Sequence, residues 1–495
     1  MSPRRRMMGR CRPLLPLVLI AVLGGCTAGP NFTRPEAPPP QAGYASDGAG
    51  RADLGEGPQA GWWSSFGSAE LDALVGQALA RNHSLAASLA TLQRSREQIN
   101  AVAGRRLPQV DGRARAEYEQ FNLSAFGFSP SALGGQSVGN PDFDLYTLGL
   151  GVSYDLDLFG KNRRALEQAT AEAEAQQRQT EAAHLLIAGR VTLQFLAIAA
   201  LSDRIRTERA LLAEDERNVA LTDARQKAGV GTMVEVLSAQ GQLAADQAGL
   251  PPLEQQLAEA RAMLAVLTGI SPAELGPTDY SLERLALPLR VPVALPSGLV
   301  HKRPDILEAE ARLHAAVAAV GVATAQLYPN VTIGATLDQT TSRPEKIFST
   351  ASTGFDIFAG LTAPIFHGGT LKANKRGAEA GARAAAETYQ QVVLDAFAQV
   401  SGLLAALGTD RDALAAQSRA AEIADRSLYL SRRSFQVGNS GILQVLDASR
   451  ANQRARLALV EARARQFQNV ARLQAATAGG WIGAAPPTEA AAATP

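Results

Sequence analysis

The sequence predicts an α+β membrane protein in which short amphipathic strands alternate with very long helices. Three observations lead to this prediction. Four stretches alternate between apolar and polar residues, two proline-free stretches (Lys161–Ala228 and Thr370–Val437) have the composition of helices, and an apolar N-terminal segment ends in a cysteine. A soluble fold would need a core to cover the apolar strand faces, and the chain offers no second sheet for that purpose.

Composition argues against several classes of function. The chain has 495 residues, of which 48 are basic and 47 acidic, so no basic domain indicates a nucleic-acid partner. The five histidines are scattered and do not have the spacing of metal ligands. No nucleophile–base pair and no phosphate-binding loop is evident. We therefore predict that the protein is not an enzyme and has no catalytic residues, metal or cofactor.

The N-terminus is organised like a bacterial export signal. Arginines precede an apolar run, Leu14–Leu23, that is too short to be a permanent membrane span. The run ends in LGGC, which resembles a lipobox, although ordinary signal cleavage beside an incidental cysteine is the alternative. We expect removal of a signal peptide at 1–25 and a covalent lipid on Cys26 as a membrane anchor. Thr27 is not aspartate, so the expected destination is the outer membrane.

The chain contains two copies of one plan. The segment LTDARQKAGVGTMVEVLSAQ, from Leu221, is similar to LSRRSFQVGNSGILQVLDAS, which begins 209 residues later at Leu430. Each copy is expected to run helix, strand, loop, strand, very long helix, tight turn and helix. The predicted divisions are a lipidated N-terminal arm at 26–60, a first repeat at 61–270, a proline-rich crossing at 271–300, a second repeat at 301–480 and a flexible tail at 481–495.

Each repeat supplies one pair of predicted strands. From Tyr146 to Leu156, every second residue is large and apolar, which is typical of a strand with one apolar and one polar face. In the first strand, charged residues alternate with small or apolar ones, and Phe358 departs from the alternation in the fourth strand. The predicted pairs are 107–119 with 145–158 and 328–340 with 353–366.

A lipid bilayer can cover the apolar strand faces if the strands belong to a closed barrel. Strands of about 9–11 residues suit a bilayer span. Four strands cannot close a barrel alone, so two copies of the chain would give eight strands and three copies twelve. An arginine facing lipid near the midplane would cost about 2–4 kcal/mol, so Arg113 and Arg115 must face water. The alternative is a soluble sheet whose apolar side packs on helices.

Both very long helices are expected to end at glycine turns and reverse, giving hairpins at 161–269 and 370–478. At 1.5 Å per residue, each long helix would extend roughly 100 Å. Arg190 interrupts the apolar middle of the first one, which favours a buried face over a membrane span. The return helix of the first hairpin is expected to break at Pro251–Pro252. The turn glycines are Gly229, Gly231, Gly438 and Gly441.

Several segments together resemble the NodT-type outer-membrane efflux lipoproteins, which are relatives of TolC. They are CTAGPNFTRPEAP, LDALVGQALARN, LPPLEQQLAEARAMLAVLTG and HKRPDILEAEARLHAAVAAVGVATAQLYPNVTI. The resemblance covers essentially the whole mature chain. It implies a TolC-like homotrimer whose twelve-stranded outer-membrane β-barrel, with four strands per protomer, continues as a periplasmic α-helical barrel with an equatorial belt.

The resemblance also implies a function without chemistry. The channel would be a gated passive exit for drugs or other toxic small molecules. It would dock on a periplasmic membrane-fusion adaptor and an inner-membrane resistance-nodulation-division pump. A duct of the same shape could instead serve type I protein secretion, and a structural outer-membrane lipoprotein is a third alternative.

The resemblance places the pore gate at the periplasmic tip, where the turn glycines would meet the adaptor. Asp447 matches a family carboxylate that narrows the closed pore, and three copies would form a cation-attracting ring. Gln444 stands where some relatives have a second acid, and Glu235 is the acid of the matching helix in the first half. Phe435 and Ser440 occupy the places of a tyrosine–arginine latch, which is therefore absent or replaced. For Asp447 and Glu235, an ordinary solvated helix acid is the alternative.

Overall fold

The computed structural model describes residues 27–36, 44, 52–55, 57–58, 60–120, 142–276, 279–288 and 290–478. The signal peptide, Cys26 and the tail at 481–495 lie outside these residues. The described helices are α1 Ala69–Arg81, α2 His83–Gly104, α3 Lys161–Lys227, α4 Met233–Thr268, α5 Pro296–Lys302, α6 Pro304–Ala325, α7 Thr370–Gln436 and α8 Ile442–Thr477. The described strands are β1 Ala52–Gly55, β2 Gln109–Gln120, β3 Asp142–Asp155, β4 Val291–Ala294, β5 Asn330–Thr341 and β6 Thr353–Thr362.

The two very long helices form as the sequence predicts. α3 and α7 each contain 67 residues, and each is followed by a 36-residue return helix. Both long helices are apolar enough over 18 residues to cross a membrane by length and composition. Both apolar sections contribute buried residues to one hydrophobic core, although more than half of the section in α3 is buried and most of the section in α7 is not. The contributing residues include Val191, Phe195, Leu196, Val400, Leu404 and Leu407.

The first return helix does not break at its prolines, contrary to the sequence prediction. α4 is continuous and contains both Pro251 and Pro252. Each proline lacks an N–H, so the carbonyl oxygens of Gln247 and Ala248 have no intrahelical donor. These four residues are exposed, so water can hydrogen-bond to the freed carbonyl groups. The helix therefore tolerates the pair without ending.

The strand that the sequence predicts at 145–158 is β3, and it ends at Asp155 because Asp157 caps the following helix. Asp157 has a φ of 48°, in the left-handed region, which takes the chain out of the sheet. Its carboxylate accepts hydrogen bonds from the backbone N–H groups of Asn162 and Arg163, both at 2.9 Å. These groups lie in the first turn of α3 and have no intrahelical acceptor. The strand that the sequence predicts at 353–366 is β6, and it likewise ends early, at Thr362, two residues before Pro364.

The chain divides into two compact units. The first comprises residues 1–33, 94–173 and 311–386, and its sheet is antiparallel with the strand order β2-β3-β5-β6. The second comprises residues 34–93, 174–310 and 387–495. It contains the parallel pair β1-β4 and the large hydrophobic core, in which Phe66, Phe195 and Leu264 are almost completely buried.

Candidate functional site

One face of the four-stranded sheet is apolar and uncovered. The register aligns Val110, Val152, Ala335 and Ile357 in one row across all four strands, and the neighbouring row contains Leu150, Leu337 and Phe355. The side chains are open to the exterior: Leu150 is 58% exposed, Ile357 78% and Phe355 79%. The alternative of a soluble sheet packed on helices is wrong, because no described part of the chain covers this face.

The opposite face of the sheet is polar and carries ion pairs. Arg113 on β2, Gly149 on β3 and Asp338 on β5 form one row. The Arg113 guanidinium reaches across β3, with its Nη2 atom 2.6 Å from Asp338 Oδ2. A Cβ atom at position 149 would overlap the Asp338 carboxylate, so only glycine leaves room for this contact. Arg115 pairs with Glu117 on the same face.

Both edges of the sheet are open within the described residues. β2 pairs only with β3, and β6 pairs only with β5. Half of the backbone N–H and C=O groups of each edge strand therefore point away from the sheet without a strand partner. A sheet of this kind can enter a lipid bilayer only if its edges are closed by further strands.

The turn between α3 and α4 is fixed by glycine and by a capping box. Gly229 has a φ of 77°, which requires glycine, whereas Gly231 does not have a positive φ. Thr232 Oγ1 accepts the Glu235 N–H at 3.3 Å, and the Glu235 carboxylate accepts the Thr232 N–H at 2.9 Å. Glu235 therefore stabilises the start of α4. Its role in the gate stays a prediction.

The turn between α7 and α8 exposes the two other predicted gate residues. Gly438 has a φ of 79°, and Gly441 immediately precedes α8. Gln444 and Asp447 both lie on the exposed face of α8. The opposite face packs into a small apolar cluster that includes Ile442, Val445, Leu446, Phe435 and Ala239.

The carboxylate of Asp447 is largely exposed to solvent. Its side chain is 77% exposed, and its Oδ1 atom lies 3.5 Å from Nη1 of Arg450, one turn further along α8. Arg450 is held by the other hairpin, because its Nε atom donates to Gln242 Oε1 at 2.6 Å. Gln242 in turn donates to Asp246 at 2.6 Å. An arginine that is hydrogen-bonded to the other hairpin therefore faces the Asp447 carboxylate.

A cation–π contact joins the two hairpins beside their turns. The Arg225 guanidinium on α3 lies 4.7 Å from the ring centroid of Phe435 on α7, and Arg225 Nη2 also donates to the Val230 carbonyl oxygen. Phe435 is one of the positions at which the resemblance implies a tyrosine–arginine latch. Sequence reasoning missed Arg225, because no motif marks it and it lies far from Phe435 along the chain.

A buried acidic pair connects α3 to α4. Burial and a hydrogen bond with Asp246 raise the pKa of Asp215 to about 7. About two turns earlier on α3, burial and the charge of Asp246 raise the pKa of Glu208, which also forms a hydrogen bond with Gln453 of α8. Asp215 is only 4% exposed. Near neutral pH, a large fraction of the Asp215 carboxyl groups is therefore protonated.

We expect Asp215→Asn to stabilise the protein at alkaline pH. Because the folded-state pKa of Asp215 is raised, the protonated group stabilises the fold at low pH, and this contribution is lost as pH rises from about 4 to 7. An amide keeps the hydrogen bond to Asp246 without the buried charge. The melting temperature should rise by about 3 °C at pH 8 and stay unchanged at pH 4. Exposed Asp412→Asn is the control, and equal effects at both pH values would contradict the assignment.

The chain matches known proteins over almost its whole length. A family model described as outer membrane efflux protein matches residues 74–270 and 295–479. The pyoverdine export outer membrane protein OpmQ of Pseudomonas aeruginosa is 31% identical over 462 residues, which cover 93% of this chain and 95% of that protein. The probable outer membrane lipoprotein SilC of Salmonella typhimurium is 26% identical over 471 residues, which cover 95% and 99%.

The fold agrees with these sequence matches. The solved structure of the outer-membrane channel OprN superposes with a TM-score of 0.83 and 29% identity, covering 92% of this chain and all of that chain. The predicted TolC-like α+β fold, the family resemblance and the outer-membrane location are thereby confirmed. The uncovered apolar sheet face, the polar opposite face, and the agreement of sequence and fold show that the chain belongs to the outer membrane efflux protein family and is an outer-membrane efflux channel.

Proposed function

We propose that three copies of this chain form a twelve-stranded outer-membrane pore, the gated exit channel of a tripartite efflux system. The observation that carries this proposal is the sheet itself, which has an exposed apolar face, a polar face with ion pairs and two open edges. In a barrel, the apolar face meets lipid and the polar face lines water. The β2 edge of one copy would pair with the β6 edge of the next.

Three copies fit the polar face better than two. An eight-stranded barrel has an interior that is just wide enough for side chains to fill it. Two copies would direct the charged side chains of β2, among them Arg113, Arg115 and Glu117, into that narrow space. Twelve strands leave room for hydrated side chains and for a solute to pass.

We propose that the partners are a periplasmic membrane-fusion adaptor and an inner-membrane resistance-nodulation-division pump. OpmQ is named as an export protein of the outer membrane, which supports a role in a transport system. The turns at Gly229–Gly231 and Gly438–Gly441 are the proposed docking points, and Asp447 with Gln444 is the proposed gate. The cargo would be drugs or other toxic small molecules, which pass without a chemical reaction.

A lipid on Cys26 is the proposed anchor. The relative SilC is named as a probable lipoprotein, which supports this modification. Thr27, the next residue, packs against Gly160, and the N–H of Ala28 donates to the Phe159 carbonyl oxygen at 3.0 Å. These contacts lie just beyond the end of β3, where the proposed membrane-spanning part of the chain ends.

Planar-bilayer conductance tests the gated channel. We expect the purified full-length protein to form trimers that conduct weakly, and Asp447→Ala to raise the conductance several-fold, because removal of three carboxylates widens the tip. Cation selectivity should decrease as well. Exposed Asp412→Ala, on α7, is the matched control and should not change the conductance. Failure of both the wild type and Asp447→Ala to conduct, or a monomer in detergent, would overturn the proposal.

A further inference from the structure

A cavity of about 620 Å³ lies where α2 ends, β3 ends and α3 begins. Its lining includes Tyr154 and Leu156 from β3 and the residues that follow it, Arg106 and Leu107 from the segment after α2, and Arg163 from α3. One wall is therefore apolar and aromatic, and the other contains two arginines and two acids, Asp155 and Asp157. None of these residues has a role in the pore or gate described above.

The apolar wall continues the lipid-facing side of the sheet. Side chains alternate along a strand, so Tyr154 and Leu156 share a face with Leu150 and Val152. From Tyr146 to Leu156, this face spans about 33 Å along the strand, or about 25 Å across the membrane after a tilt of roughly 40°. Tyr154 and Leu156 therefore lie at one boundary of the hydrocarbon layer, where lipid headgroups begin.

The wall that contains the arginines has positive charge available for a ligand. Within the described ranges, the exposed side chains of Arg105 and Arg106 have no hydrogen-bond or ion-pair partner. Arg163 is only partly occupied, since its Nη2 atom donates to the Asp157 carbonyl oxygen at 3.2 Å and its Nε atom lies 3.8 Å from the Asp157 carboxylate. Arg106 and Arg163 line the cavity, and two guanidinium groups that face one space are well suited to an oxyanion, with Arg105 adding charge from the position before Arg106.

The two acids that line the cavity, Asp155 and Asp157, are already engaged by other groups of the chain. The Asp157 carboxylate accepts two N–H groups from the first turn of α3. The Asp155 carboxylate accepts the Asp157 N–H at 2.9 Å and the Asn330 amide at 3.2 Å. Asp155 also has the strand parity of the polar face, opposite to Tyr154. Both carboxylates are therefore engaged within the turn and the sheet.

We propose that this cavity binds the headgroup of an anionic phospholipid from the periplasmic leaflet. Arg106 and Arg163, which line the cavity, would contact the phosphate, Arg105 would add positive charge from the adjacent position, and the Tyr154 hydroxyl would lie at the headgroup level. An acyl chain would follow Leu107 and Leu156, which are 63% and 36% exposed. The site rests on the proposed orientation of the sheet in the membrane, and it does not depend on the gate, the adaptor or the cargo.

Native mass spectrometry of the full-length protein in detergent tests the site, with phosphatidylglycerol and phosphatidylethanolamine as probes. We expect phosphatidylglycerol to bind preferentially, and the double variant Arg105→Gln/Arg106→Gln to bind it at least tenfold more weakly. The matched control is Arg94→Gln/Arg96→Gln, which removes two exposed arginines about 15 Å away on α2 and should bind like the wild type.

Three outcomes would overturn the proposal: equal binding of the two lipids, equal weakening by both double variants, or complete displacement of the lipid by millimolar inorganic phosphate. The last outcome would identify a site for free phosphate instead. Conductance measured on the same samples separates this proposal from the channel. An Arg105→Gln/Arg106→Gln variant that conducts but no longer binds phosphatidylglycerol supports the lipid site. Absence of conductance in the wild type would contradict the proposed pore and would leave the lipid-binding result unaffected.

Discussion

Leu150→Arg is expected to abolish assembly of the protein in the outer membrane. Leu150 lies in the middle of the apolar face, beside Leu337 on the neighbouring strand, and its side chain is 58% exposed. An arginine there would face lipid near the midplane at a cost of about 2–4 kcal/mol for each copy of the chain. Three copies would raise the cost to about 6–12 kcal/mol, comparable to the whole stability of a typical domain. The amount of oligomer in the outer-membrane fraction measures the effect.

Thr336→Arg is the matched control for this substitution. Thr336 precedes Leu337 on β5 and pairs with Gly151, so it lies at nearly the same depth but on the polar face. The same arginine would there enter water, and assembly should be close to that of the wild type. Normal assembly of Leu150→Arg together with failure of Thr336→Arg would show that the two faces are assigned the wrong way round.

Arg164→Met is expected to release residues 28–33, at the start of the N-terminal arm, from α3. The Arg164 side chain is 4% exposed and donates to the Ala28 carbonyl oxygen, to Asn31 Oδ1 at 2.7 Å and to the Glu167 carboxylate at 2.6 Å. Each buried acceptor left without its donor costs about 1–3 kcal/mol. A loss of about 3 kcal/mol would make local opening of the arm about 100-fold more frequent.

Chymotrypsin digestion measures this release. Phe32 is a cleavage site that is held by stacking on the His314 ring, with 4.4 Å between the ring centroids. The bond after Phe32 should be resistant in the wild type and rapidly cut in Arg164→Met. Lys161→Met, an exposed substitution in the same helical turn, is the control. Equal cleavage rates for Arg164→Met and the wild type would contradict the role of Arg164.

The strands and long helices could be predicted because their signals are periodic and local. Alternation from Tyr146 to Leu156 fixes the faces of β3 whatever its neighbours are. The row formed by Arg113, Gly149 and Asp338 depends on the register of three strands, which no local pattern specifies. The end of β3 differs from the predicted boundary, because the capping role of Asp157 depends on the left-handed turn that brings its carboxylate to α3.

The helical tip was only partly predictable. The sequence TMVE at Thr232–Glu235 is a capping-box signature, and it could have indicated that the Glu235 carboxylate is engaged at a helix start. The contact of Arg225 with Phe435 and the pair of Asp215 with Asp246 join residues of different helices. Such contacts follow from how the helices pack, and a single sequence carries no periodic signal for them. The tolerance of Pro251 also depends on the tertiary structure, because the side of α4 on which it lies is exposed to water.

Cysteine accessibility along β3 tests the central claim, that the apolar face meets lipid and the polar face meets water. Cys26, whose sulfur carries the proposed lipid, is the only cysteine after the signal peptide, so background labelling should be low. Single cysteines at Thr147, Gly151 and Ser153 should react with a membrane-impermeant maleimide in intact outer membranes. Cysteines at Leu148, Leu150 and Val152 should be protected. Equal reaction at all six positions, or protection of the first three only, would contradict the account.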